Sequence, residues 1–169
     1  ARLAERRSTQ PVISAPIPRA SGDSDSAEFI AIALLLQTWD AIAPWLIEDL
    51  FYSEIPRRAF LNLAHAAEVE QGSLLNNALA SADPEVRELL ERAAVADIDI
   101  DPPSVALSLI AVGVRRTLSQ RTGIVDPVEI LEDRAARLEL EKLDDPKTGF
   151  VTAESLLRWL GIRGTTTRG

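Results

Sequence analysis

Hydrophobic positions along this chain recur at intervals of three and four, and no stretch of useful length alternates apolar and polar residues as a half-buried strand requires. The pattern predicts an all-α fold. From Ala27 to about Thr38 the apolar residues surround the axis instead of forming a stripe, so this helix, capped by Ser26, belongs at the centre of a bundle. A short helical turn over 41–46 follows. Ser53 then reads as an N-cap, with Glu54 and Pro56 in the first turn, where a carboxylate meets the positive helix end and a missing N–H costs least. Beyond it Ile55, Ala59, Phe60, Leu63, Ala66 and Ala67 fall within an arc of roughly 140°, as a core-facing helix requires. Arg57, Arg58, Leu61, Asn62, His65 and Glu68 are left on the outer side.

Gly72 opens a loop before "SLLNNALAS", and Asp83, Pro84 and Glu85 supply the cap, first-turn proline and first-turn acid of a helix running to about Val95. The segment from about Ser104 to Gln120 is apolar all round over "VALSLIAVGV", too short to span a bilayer, and is expected to pack against the Ala27 helix. Asp126 and Pro127 start a helix to about Leu143 in which Val128, Leu131, Ala135 and Leu138 alternate three and four apart, the narrow seam of a helix pair. Across the turn "DDPKTG", the segment "AESLLRWL" is the expected partner. Residues 1–25, polar with three prolines and no apolar period, read as a flexible linker from an upstream region. The expected organisation is a compact bundle of about six helices over 26–122, a C-terminal helical hairpin over 123–162 and a disordered tail over 163–169.

Composition narrows the function. Of 169 residues 46% are hydrophobic, enough for one compact unit. With 18 basic against 26 acidic side chains the net charge is −8, which disfavours direct nucleic-acid binding through phosphate neutralisation. The absence of cysteine removes disulfides, thiolate catalysis and thiolate zinc sites, and implies a cytoplasmic setting. Gln37, Asp40 and Pro44 interrupt the most apolar run, Phe29 to Ile47, so no membrane span is expected.

Candidate chemistry is sparse. Asp97, Asp99 and Asp101 in "DIDID" fit a Mg²⁺-binding strand, yet no phosphate cradle accompanies them, and a solvated loop with Asp101 capping the next helix is the plainer reading. The segment Asp144 to Ser155 imitates a calcium loop through Gly149, but Pro146, Thr148 and Ser155 occupy its ligand positions. His65 has no second histidine or cysteine to complete a metal or nucleophile site. Arg57 and Arg58 diverge by about 100° on a helix and cannot form one clamp. Leu61 projects between Arg57, Glu68 and His65, giving either a mixed apolar and charged face suited to protein contact or a face covered by a second layer of helices. Seven acidic and two basic side chains from Asp83 to Asp101 add a negative surface.

The succession "AEFIAIALLLQTWDAIAPWLIEDLFYSEIPRRAFLNLA", "DPEVRELLERAAV", "DIDIDPP" and "VRRTLSQR", over residues 27–121, resembles the C-terminal helicase-binding domain of bacterial DNA primase. The resemblance implies a bundle of about six helices joined to a terminal helical hairpin, non-catalytic and without cofactor or metal. In that family the domain binds the N-terminal domain of the replicative DNA helicase and couples primer synthesis to the fork, with the primase active site in the upstream region. Residues 126–161 would be the hairpin, making Leu156, Trp159 and Leu160 contact candidates beside Arg57, Arg58 and Leu61. The terminal helix, "AESLLRWLGIRG", is shorter than the family pattern. Competing readings are the N-terminal domain of the helicase itself, an Mg²⁺-dependent phosphotransfer fragment using Asp97, Asp99 and Asp101, and a scaffold outside replication.

Overall fold

A computed structural model describes residues 19–121, 123, 126–145 and 147–168, with side chains from 27 to 162. The fold is all-α: α1 (Arg19–Gln37), α2 (Trp39–Ile42), α3 (Glu54–Ala67), α4 (Leu74–Ser81), α5 (Pro84–Val95), α6 (Pro102–Gln120), α7 (Pro127–Glu141) and α8 (Gly149–Arg168), with no strand among the described residues. Two 3₁₀ turns, Ala43–Trp45 and Glu48–Leu50, lead from α2 to α3.

Helix α1 is central as its all-round apolarity predicts: it packs against α3, α5 and α6, and Ala31 to Leu35 are buried consecutively. Ile32, Leu35, Leu63, Leu90, Ile110 and Val114 bring four helices into one core. Helix α6 carries this core on one side and the α7–α8 pair on the other. Its glycine allows that second contact, since a Cβ at Gly113 would lie 3.1 Å from Leu50 Cδ2 and 3.7 Å from Leu160 Cδ1. The hairpin is thus packed on the bundle through Leu156 and Leu160, and each buried leucine contributes roughly 1.5–3 kcal/mol.

Three capping aspartates close helix starts. Asp83 accepts the Val86 N–H at 3.0 Å, Asp101 the Ser104 N–H at 3.2 Å and Asp126 the Val128 N–H at 2.8 Å. Ser73 does the same for α4 through Asn76.

Boundaries differ at both ends. Helix α1 begins at Arg19, ahead of the expected Ser26 cap, because no proline follows Pro18 to stop it; residues 1–18 of the expected linker lie outside the described residues. Helix α8 starts at Gly149 and runs to Arg168, far longer than "AESLLRWLGIRG", and the expected tail is helical to that point. Gly161 does not end it, as a helical glycine costs only about 1 kcal/mol and no proline follows.

Helix α7 corrects a larger expectation. Of its seam, Val128, Leu131 and Leu138 point outward instead of pairing with α8, Ala135 only edges the groove beside Trp159, and Asp133 and Ala136 are buried. Arg121, at the end of α6, explains the rotation: its Nε lies 3.1 and 2.9 Å from the two Asp133 oxygens, and its Nη2 lies 3.3 Å from Glu129. A charge pair placed on the polar side of α7 faces that side inward.

Candidate interaction surfaces

The segment "IEDLFYSEIPRR" is built around one buried and one half-buried charge. Leu50 and Phe51 enter the core, where Phe51 stacks on Phe60 at 4.9 Å. The chain then has to turn into α3 with its first N–H groups unpaired. Ser53 occupies the cap position, but its hydroxyl does not close it. The carboxylate of Glu28, 1% exposed on α1, accepts the N–H of Tyr52 at 2.8 Å and that of Ser53 at 3.2 Å. From α6, Arg116 donates to the Asp49 carbonyl at 2.8 Å and places its guanidinium 5.1 Å from the Tyr52 ring centre. Burial pushes the Arg116 pKa down, against the pull of Glu28 and Asp49. These ties hold a backbone; they leave Tyr52 exposed at the surface.

On α3, Pro56, Ala59, Phe60, Leu63 and Ala66 are buried, whereas Ile55 is half-buried and Ala67 exposed, so the core face is shifted slightly from its expected arc. Arg57 is half-buried and points away from Arg58. Arg58 is engaged in a different way: it reaches α5, 3.0 Å from Asp83 and 3.1 Å from Glu85, with Glu54 at 3.9 Å. Its hydrogen bond to Glu85 raises its pKa, and the nearby Asp83 adds to that. Leu61 is 43% exposed beside exposed His65, so among the described residues no second helical layer covers it. Asn62 turns toward α4 and donates to Ser81 at 3.1 Å.

In the hairpin, Leu156 and Leu160 are each 1% exposed and belong to the core, so both are closed to a partner; this corrects their reading as contacts. Leu160 sits against α6 at Gly113, and Leu156 joins the core beside the α7–α8 groove. Trp159 is half-buried in a groove of about 150 Å³ between α7 and α8, shared with Glu132, Ala135, Glu139 and Ser155. Its indole N–H is buried without an acceptor. The start of α8 joins the bundle through Phe150, whose ring lies 5.2 Å from that of Trp45.

The acidic stretch is partly consumed by pairing. Besides Arg58, Arg87 lies 3.8 Å from Glu91, and Arg92 sits 5.4 Å from the Phe29 ring. Glu54, Glu85 and Glu88 nevertheless rim a groove of about 460 Å³ floored by Phe29, Ile55, Pro56 and Leu89. Asp97 and Asp99 are exposed, and Asp101 is turned to its cap, accepting the Ser104 hydroxyl at 2.9 Å. Among the described residues no three histidine, cysteine or carboxylate side chains gather as a metal site would require. In the turn that imitates a calcium loop, Asp145 accepts the Lys147 N–H at 2.9 Å, and Gly149 passes so close to the Leu143 carbonyl that a Cβ would lie at 2.8 Å.

Sequence reasoning missed Glu28, although a lone acid in "AEFIAIALLLQ" was the available signal. It also misplaced the outward seam of α7. No described helix is long and apolar enough to cross a membrane. No protein-family model, curated protein or solved structure matches the chain.

Proposed function

We propose that this chain is a non-catalytic protein-interaction domain, the helicase-binding domain of a bacterial DNA primase, and that its partner is the N-terminal domain of the replicative DNA helicase. The supporting observation is the order of its parts. The segments carrying the family resemblance run through α1 to α6, and a helical hairpin follows, packed on α6. The buried and half-buried charges support a scaffolding role, because Glu28 and Arg116 hold backbone and Arg121 holds Asp133 and Glu129. In this reading Arg57 and Leu61 on α3 form the contact face, with Trp159 at the hairpin, while primer synthesis is performed by the upstream part of the parent protein.

The reading is tested by co-elution with the isolated N-terminal domain of the replicative helicase from the same organism. A complex is expected at tens of micromolar (about 5 to 7 kcal/mol of binding), weakened by Leu61→Glu. Separate elution of two correctly folded proteins would refute it.

A further inference from the structure

Helix α7 holds an unpaired coiled-coil seam in place. Val128, Leu131 and Leu138 are 63%, 65% and 54% exposed, and Ala135 between them is exposed at the edge of the groove beside Trp159. They occupy a, d, a and d positions of two heptads, a pattern completed by a second helix. The seam cannot roll inward, because the buried Arg121–Asp133 pair on the far side of α7 would have to separate.

We infer that the second helix is α7 of another copy of this chain, lying parallel and in register. Flanking charges select both partner and direction. Arg134 sits just before the central Ala135, a g position, and Glu139 follows Leu138, an e position. Parallel packing sets each Arg134 against the second copy's Glu139, five residues on, so the twofold axis makes the pair twice. Antiparallel packing would instead set Arg134 near its own symmetry mate, a like-charge contact. Arg134 is exposed, and Glu139, at the rim of the groove beside Trp159 with its side chain 31% exposed, accepts Lys142 at 3.1 Å and keeps lone pairs for a second donor. Two heptads make a small interface, below about 1,200 Å² in all, so the association is weak and concentration-dependent.

The inference is independent of the helicase reading. Sedimentation equilibrium of the whole chain, up to roughly 0.5 mM as an interface of this size demands, should show the mass rise from 18.4 kDa toward twice that value. Arg134→Glu or Glu139→Arg alone should weaken association about tenfold, since two attractive pairs become repulsive. An equimolar mixture of the two variants, or the double variant, should restore it. Leu131→Glu with Leu138→Glu should abolish association while leaving helix content unchanged. A wild-type chain that stays at 18.4 kDa, or association indifferent to all four substitutions, overturns the inference. So does a monomeric wild type whose seam substitutions abolish binding to the helicase domain, which would assign the face to that protein.

Discussion

The carboxylate of Glu28, buried on α1, accepts the backbone N–H of Tyr52 at 2.8 Å and so fixes where the chain turns into α3. A hydrogen bond to a charged group contributes about 1.5–3 kcal/mol. Glu28→Ala removes the acceptor for both Tyr52 and Ser53 and should lower the unfolding free energy by about 3 kcal/mol. Glu28→Gln, which keeps one oxygen, should lose about half as much. Denaturant titration at unchanged slope distinguishes this local loss from a change of fold.

A second prediction concerns the rotation of α7. Asp133→Ala leaves Arg121 without its closest partner and should destabilise the chain by about 3 kcal/mol, whereas replacing the pair by Met and Leu should be neutral or stabilising. The comparison is made by thermal unfolding of the single and double variants. If the single variant unfolds like wild type, the pair does not orient the helix.

At Gly113 the nearest obstacle to a Cβ is the end of the Leu50 side chain, 3.1 Å away. Gly113→Ala gains about 1 kcal/mol of helix propensity against that squeeze and should fall within about 1 kcal/mol of wild type. Gly113→Leu pushes α8 off α6 and should cost about 3 kcal/mol, with loss of the Leu160 contact visible as increased amide exchange in α8.

Arg58 and Asp83 separate surface pairing from capping. In thermal unfolding Arg58→Ala should lower the midpoint only slightly, and less at high salt. Asp83→Ala removes both that pairing and the acceptor for Val86 N–H, and should cost about 1 kcal/mol more, a difference that persists in salt.

Local signals were readable. Asp83, Asp101 and Asp126 each stand before a proline and each closes a helix, because capping involves atoms two or three residues apart. The central place of α1 was readable from its apolarity on all sides. The direction faced by α7 was not, because periodicity shows which side is apolar and not which side is covered. That was decided by Arg121, twelve residues before Asp133. Likewise Leu156 and Leu160 share an apolar face with half-buried Trp159, and which of them are enclosed depends on tertiary neighbours, α6 at Gly113 for Leu160 among them. Of the candidate residues on α3, Leu61 is exposed and Arg57 half-buried on the outer side, while Arg58 is bound to α5.

Calorimetric titration of this chain into the N-terminal domain of the same organism's replicative helicase tests the central proposal most directly. The account predicts a saturable heat with a dissociation constant of roughly 50 µM or tighter, about 6 kcal/mol, reduced by Leu61→Glu but unaffected when Asp97, Asp99 and Asp101 are all replaced by alanine. No heat at these concentrations, with both proteins folded, would contradict it.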